Sequence, residues 1–219
     1  MAAILCLETA TTNCSVAISV NGKAVTLIEV NNKQYSHAEK LHVFIEEVLS
    51  KSGINKAELD AVAISKGPGS YTGLRIGVSA AKGLCFALGI PLISIATLES
   101  LACQVSEKEG VIVPMLDARR MEVYSAAFDL DKEQVRATEA EILNEASFTE
   151  YLEKGKVFFL GDGAEKFKSL CSHKNAIFLD DKFPSANQMA SLAEINYKKS
   201  DIEDVAYFEP YYLKDFVTG

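Results

Sequence analysis

A short apolar strand that ends in a carboxylate occurs twice in this chain, half a chain length apart. The first copy is ILCLE, which ends at Glu8, and the second is VIVPMLD, which ends at Asp117. When these two carboxylates are aligned, SVA at 15–17 falls on YSA at 124–126 in the strand that follows. An internal period this long predicts a duplicated domain rather than a solenoid of short repeats.

The order of elements within each copy supports the duplication. Residues 4–30 read as three short strands, and Asn21-Gly22 predicts a two-residue hairpin turn between two of them. Apolar stripes predict helices over about 37–51 and 72–88, and Ser36 with Glu39 matches a capping box at the first of these. A strand, a glycine turn and a helix then recur in the second half, as KVFFLGDGAEKF.

This plan resembles the architecture shared by actin, sugar kinases and heat-shock chaperone ATPases, which is a ribonuclease H-like fold. The resemblance implies an α/β chain of two lobes, each with a mixed sheet flanked by helices. We place the N-terminal lobe, which carries the helices expected to dock a partner, at 1–103. The C-terminal lobe then covers 104–219.

Composition narrows the class of protein further. Hydrophobic residues make up 48% of the 219-residue chain and charged residues 24%, which is typical of a globular protein. No stretch approaches the roughly 20 apolar residues of a membrane-spanning helix. Five cysteines without a C-x-x-C pair favour a reducing, cytoplasmic location. The net charge of −8 indicates that another subunit would hold most of any RNA, so tRNA contact is expected only through a complex.

The strand ends offer weak candidates for nucleotide chemistry. In the families with this architecture, nucleotide lies in the cleft between the halves, where glycine turns approach the phosphates. The turns here read TATTN and ARRM and contain no glycine. Glu8, Thr11, Asp117 and Arg119 therefore define a cleft for weak ATP or ADP binding at most. Glu8 and Asp117 could hold a metal or act as bases, but we favour ion pairing with Arg119 or capping of turns.

The segment GPGSYTGLRIG at 67–77 invites comparison with phosphate-binding loops. It lacks the Gly-Lys pair of the Walker pattern and does not match G-x-G-x-x-G. We interpret it as a tight strand-to-helix corner in which Gly67 and Gly69 supply unusual dihedral angles and Pro68 stiffens the chain.

The helix after this corner carries two apolar stripes. The first contains Leu74, Val78, Ala81, Cys85 and Leu88, and the second contains Ile76, Ala80, Gly83, Leu84 and Ala87. A helix that is apolar on two sides is buried on two sides, so the side that does not pack on its own sheet must be covered either by more of this chain or by a partner. The predicted interface combines residues of both helices: Leu41, Ile45, Leu74, Ile76, Gly77, Ala80, Gly83, Leu84 and Ala87.

Five segments together resemble the TsaB family, also called YeaZ: ETATTNCSVAI, KGPGSYTGLRIGVSAAKGL, IPLISIATLESLA, LDARRMEVYSA and EPYYLK. The resemblance implies a role in making the threonylcarbamoyl-adenosine of tRNA. In that pathway the paralogue TsaD transfers the threonylcarbamoyl group, and TsaE is an ATPase partner. The TsaB subunit is then a scaffold that homodimerises or pairs with TsaD through the helices of its first lobe.

The same resemblance argues against catalysis by this chain. The catalytic paralogue carries a His-x-x-x-His metal pair where this sequence has Thr97 and Leu101, and neither can replace a histidine ligand. His37 and His42 are five residues apart and are expected to be surface or interface residues rather than metal ligands. We therefore predict no catalytic residue, no metal site and no firmly bound cofactor. An ATP-binding enzyme of the kinase or ATPase class, or a glycoprotease-like peptidase, remains the alternative.

Overall fold

The computed structural model describes residues 2–31 and 37–214, and Ser36, the predicted capping residue, lies outside them. The predicted strands, hairpin and helices of the first half are present, with a short 3-10 helix at Lys56–Glu58. Their bounds are β1 (Ala3–Glu8), β2 (Asn13–Val20), β3 (Lys23–Asn31), α1 (His37–Ser52), β4 (Ala61–Gly67), α2 (Tyr71–Leu88), β5 (Leu92–Ala96) and α3 (Thr97–Ala102).

The second half repeats this order with shorter helices. Its elements are β6 (Val111–Asp117), β7 (Glu122–Phe128), β8 (Gln134–Ile142), α4 (Thr149–Leu152), β9 (Val157–Leu160), α5 (Ala164–Lys168), β10 (Ala176–Leu179) and α6 (Ala186–Lys199). No helix among the described residues is long and apolar enough to span a bilayer.

The two sheets have the same topology. Their strand orders are β3-β2-β1-β4-β5 and β8-β7-β6-β9-β10. In each sheet the first strand pairs antiparallel with the second and parallel with the fourth. Two mixed sheets flanked by helices confirm the predicted duplicated fold. The first hairpins of the two sheets differ in length, because Glu8 lies opposite Ser15 but Asp117 lies opposite Val123, so the second hairpin is one residue shorter.

The core of the first sheet follows from the alternation of side chains along β1. Leu5 and Leu7 point to the face that α1 and α2 cover. Ile4 and Cys6 point to the opposite face, where they contact Met189 and its neighbours on α6. Because successive residues of a strand face opposite sides, a fully apolar strand such as β1 requires helices on both.

Contacts divide the chain into two units. The first unit contains the residues up to Thr97 together with Pro184–Tyr212, and the second contains Leu98–Phe183 and the residues from Leu213 onward. This division differs from the predicted lobes at 1–103 and 104–219. The reason is packing, because Leu98 and Leu101 of α3 join the core of the second unit, whereas α6 covers the first sheet.

Candidate functional site

The glycines of the 67–77 segment pack α2 against the β1–β2 hairpin. Gly73 and Gly77 are four residues apart on one side of α2, and Gly69 lies just before the N-cap residue, Ser70. A Cβ atom on Gly73 would overlap the Thr9 carbonyl oxygen, and one on Gly77 would overlap the Thr9 hydroxyl. The same contact brings the Ser70 N–H within 2.7 Å of the Ala10 carbonyl oxygen. These glycines thus create space for a neighbouring loop.

The corner itself agrees with prediction at one glycine and not at the other. Gly67 has φ +111°, in the region that favours glycine, as predicted. Gly69 has no such dihedral angle, so that part of the prediction was wrong. Gly69 is required because a Cβ atom there would lie 2.5 Å from the Ala10 carbonyl oxygen.

The first candidate carboxylate, Glu8, is buried and caps the hairpin that follows it. Its Oε1 accepts the backbone N–H of Ala10 at 2.6 Å. Burial raises the pKa of Glu8 to about 7, and the bonds from Ala10 and Ser65 oppose that shift. Glu8 and Thr11 lie in the same hairpin, which buries Thr9, Ala10 and Thr11 almost completely. Little of this turn is open to an anion.

His37 completes the closure of this hairpin. Its Nε2 donates to the Thr11 carbonyl oxygen at 2.7 Å, and desolvation lowers the pKa of the imidazole. The side chain is buried, so the expectation that His37 lies at the surface was wrong. Local helix spacing gave no signal for this contact, because Thr11 is 26 residues away in the chain.

The second candidate carboxylate, Asp117, caps its own hairpin. Its Oδ1 accepts the Arg119 backbone N–H at 2.6 Å and lies 2.9 Å from the Lys166 ammonium. The Asp117 N–H in turn donates to Asp162, a carboxyl group whose pKa burial raises. The turn-capping alternative is therefore correct, and the charged partner of Asp117 is Lys166 rather than the Arg119 guanidinium.

Thr97 and Leu101, the two positions compared above with the histidine pair of the catalytic paralogue, serve packing. The Thr97 hydroxyl forms a 2.7 Å hydrogen bond with the Ser65 hydroxyl in the first unit. Leu101 is fully buried in the core of the second unit. Within residues 2–31 and 37–214, no three His, Cys, Asp or Glu side chains are arranged to hold a metal ion.

The predicted interface residues fall into two groups. Leu41, Ile45, Leu74 and Gly77 are buried inside the first unit, so they do not present a surface to a partner. Along the second stripe of α2, Ile76, Ala80 and Leu84 are half-buried, and Gly83 and Ala87 are exposed. Sequence reasoning missed Phe86, which is 85% exposed, and Val43 on α1. A large aromatic outside both stripes was the available signal.

A strap at residues 201–212 runs across α2. The Lys82 ammonium donates to the carbonyl oxygens of Ala206 and Phe208, at 3.2 and 2.9 Å. The Tyr211 N–H donates to the Lys66 carbonyl oxygen at 2.7 Å, next to the tight corner at Gly67. The segments KGPGSYTG and EPYYLK, which lie far apart in sequence, are therefore direct neighbours.

Comparison with known proteins assigns the family. The model of the TsaD family, tRNA N6-adenosine threonylcarbamoyltransferase, matches residues 29–216. A Haemophilus influenzae protein named tRNA threonylcarbamoyladenosine biosynthesis protein TsaB is 30% identical, over 98% of this chain and 94% of the relative. The structure of YeaZ from Pseudomonas aeruginosa superimposes with a TM-score of 0.81 at 25% identity and covers 97% of this chain and 100% of its own.

A more distant structure confirms the predicted fold class. A putative N-acetylmannosamine kinase from Listeria monocytogenes superimposes with a TM-score of 0.52 at 10% identity, over 90% of this chain and 99% of the kinase. At that identity the likeness concerns the fold alone. The family model and the nearly full-length relative show instead that the chain belongs to the TsaB family of tRNA threonylcarbamoyladenosine biosynthesis proteins.

Proposed function

We propose that this chain is a non-catalytic scaffold subunit of the complex that makes threonylcarbamoyl-adenosine in tRNA. It pairs with a TsaD-like paralogue through the second apolar stripe of α2, and the paralogue transfers the group. A TsaE-like ATPase is a further partner, and a homodimer through the same helices competes with the paralogue. The observation that carries the proposal is the exposed glycine at position 83.

Among the described residues, no packing contact requires a glycine at position 83. A Cβ atom at this position would meet no atom within 4 Å, and its φ angle is not in the glycine-favouring region. Glycine inside a helix costs about 0.5–1 kcal/mol relative to alanine. A helix that includes such a residue without internal need is explained by close approach of another backbone. Ala80 and Ala87, one turn away on either side, extend the same narrow surface.

Exposed apolar side chains on α2 and α1 support an interface formed by these two helices. Phe86 and Val43 are exposed large apolar side chains on α2 and α1. Exposed aromatic side chains of this kind act as anchors in interfaces, where they fill pockets on the partner. Half-buried Ile76 and Leu84 would lose their remaining contact with water in a complex.

The choice of partner rests on symmetry. The TsaD family model matches this chain from residue 29 to residue 216, which includes α1 and α2. A paralogue with the same pattern presents an equivalent pair of helices, and two such pairs can pack as the two halves of an isologous interface. Two copies of this chain can use the same geometry, which is why a homodimer competes.

The chemistry at the strand ends supports a non-catalytic role. Glu8 and Asp117 each accept a backbone N–H of their own hairpin, so both carboxylates serve the fold. The Thr97 and Leu101 side chains cannot replace imidazole ligands.

The decisive experiment replaces Gly83 by a bulky cation. Gly83→Arg should leave the fold intact, because the position is open, and should prevent co-purification with the TsaD-like paralogue of the same organism. Gly155→Arg is the matched control, because a Cβ atom on Gly155 would also meet no atom within 4 Å but this residue lies in the second unit. Size-exclusion chromatography with light scattering reads the assembly. Equal assembly of both variants with the paralogue would contradict the proposal.

A further inference from the structure

The tip of the β6–β7 hairpin carries two adjacent arginines whose side chains are exposed. These are Arg119 and Arg120, and within the described part of the chain neither guanidinium has an ion-pair or hydrogen-bond partner. They form one of the few consecutive basic pairs of a chain with a net charge of −8. Arg119 and Arg120 therefore form a positively charged site on a chain whose net charge is negative.

The acidic groups beside this tip are already neutralised. Asp117 is paired with Lys166 at 2.9 Å, and Glu122 is paired with Lys214. Asp162 is half-buried, and desolvation raises the pKa of its carboxyl group, which disfavours its charged form. The ion pairs leave the charges of Arg119 and Arg120 uncompensated, so the hairpin tip is positive.

The backbone holds both arginines in an unfavourable conformation. Arg119 has φ +71° and Arg120 has φ +49°, in the left-handed region that side chains other than glycine and asparagine rarely adopt. At the β2–β3 hairpin the same region is occupied by Asn21 and Gly22, the residues that tolerate it best. Strain of this kind persists where the surrounding structure enforces it, and it concentrates at functional sites.

Hydrogen bonds on both sides keep the tip rigid. The Arg119 N–H is held by Asp117, and the Arg119 carbonyl oxygen accepts the Glu122 N–H at 3.1 Å. A second bond joins the Ala118 N–H to the Glu122 carbonyl oxygen. The two guanidinium groups therefore project from a fixed turn rather than from a flexible loop, which reduces the entropy lost on binding.

We propose that Arg119 and Arg120 bind backbone phosphates of tRNA directly. The planar guanidinium matches phosphate with two parallel N–H···O bonds, and this family acts in tRNA modification. The inference departs from the expectation that tRNA is reached only through other subunits. It rests on the family assignment and does not require the pairing with a TsaD-like paralogue.

The exposed neighbours fit this role. Met121 is 41% exposed and Ile142 is 71% exposed. Both lie beside the arginines, because the Leu143 N–H donates to the Met121 carbonyl oxygen at 2.8 Å where β8 ends next to β7. Apolar side chains at this edge can contact the sugars of an RNA backbone. An acidic protein partner is the alternative ligand for the two arginines. The experiment below separates the two.

The test removes both charges and the strain together. The double variant Arg119→Asn, Arg120→Gly should keep or raise the melting temperature, because both new residues tolerate positive φ. The control Lys174→Gln, Lys199→Gln removes the same charge from two exposed lysines for which the described residues show no ion pair. Fluorescence anisotropy with labelled tRNA, on the free chain and on any complex it forms, is measured over a series of salt concentrations.

Two lost phosphate contacts should reduce the slope of log K against log salt by about two, with roughly tenfold weaker binding. The control should match the unmodified chain. An unchanged slope in the arginine variant, or no tRNA binding by either the free chain or the complex, would overturn the proposal. Loss of a protein partner with unchanged tRNA binding would also overturn it, and would identify the tip as a protein contact. Failure of Gly83→Arg to disrupt assembly would affect the scaffold proposal alone.

Discussion

Glu8 accepts the backbone N–H of Ala10 at 2.6 Å, two residues further along the chain. The second half repeats this arrangement, since Asp117 accepts the N–H of Arg119 at the same distance. Both carboxylates therefore cap the hairpin that follows them, but their environments differ. Glu8 is buried and forms no ion pair with any residue that the structure describes, whereas Asp117 is partly exposed and has Lys166 as its partner.

Replacement of Glu8 by glutamine should remove a pH dependence of stability. The folded carboxyl keeps its proton up to about pH 7, whereas the unfolded chain releases it near 4.5. The folded state thus binds more protons in this window, so the free energy of unfolding falls as pH rises through it. We expect a loss of roughly 3 kcal/mol in the unmodified chain between pH 4.5 and pH 7 that is absent in Glu8→Gln.

Urea unfolding at pH 5 and pH 8 measures this difference. The other titrating groups, including His37, contribute equally to the free energy of unfolding of both proteins. Their contributions cancel when the two proteins are compared at each pH. Glu47→Gln is a suitable control, because Glu47 is an exposed carboxylate paired with Lys51. Parallel pH profiles for the unmodified chain and Glu8→Gln would show that Glu8 is charged when buried.

Alanine at two glycines of α2 should have opposite effects on stability. Gly73→Ala forces a Cβ atom onto the Thr9 carbonyl oxygen, and overpacking of this kind costs about 1–3 kcal/mol. Gly83→Ala meets open space and should stabilise the isolated chain by about 0.5–1 kcal/mol. Chemical denaturation of the two variants checks the sign. Similar stabilities would refute the packing role assigned to Gly73.

Calorimetry with Mg-ATP should detect binding no tighter than about 1 mM for the isolated chain. The Ala10 N–H is already donated to Glu8, and the Thr9–Thr11 turn is buried. In the second hairpin the Arg119 N–H is held by Asp117. Micromolar binding, together with turnover that is lost in Asp117→Ala, would instead favour an enzyme of the kinase or ATPase class.

Removal of the Lys82 ammonium should loosen the 201–212 strap. In Lys82→Met the aliphatic stem is kept, but the bonds to the Ala206 and Phe208 carbonyl oxygens are lost. Hydrogen exchange should become about tenfold faster for the N–H groups of Glu203 and Tyr211, which bond to the body of the first unit. Lys51→Met, which breaks only an exposed pair, should leave their exchange unchanged.

Much of the local structure was predictable because its causes are local. The hairpin turn at Asn21-Gly22 is present where it was predicted, with positive φ at both residues. The apolar stripes placed α1 and α2 within a residue of their ends, and Ser70 and Gly89 cap α2 as their residue types suggest. The strand repeat predicted two sheets of equal topology.

The missed features depend on contacts between distant parts of the chain. The four-residue spacing of Gly69, Gly73 and Gly77 was visible, but their neighbour is a hairpin some sixty residues earlier. The burial of His37 follows from its contact with Thr11, which lies 26 residues earlier in the chain. Periodicity identifies an apolar face but does not say which element covers it.

The return of Pro184–Tyr212 to the first unit has a consequence for synthesis on the ribosome. Helix α6 packs on one side of the first sheet, where it covers Ile4 and Cys6 of β1. One face of the first sheet therefore stays open to water until α6 has been synthesised. The second unit, which is nearly continuous, can form its core during that interval. We expect residues 184–212 to complete the first unit only after most of the second unit has been synthesised.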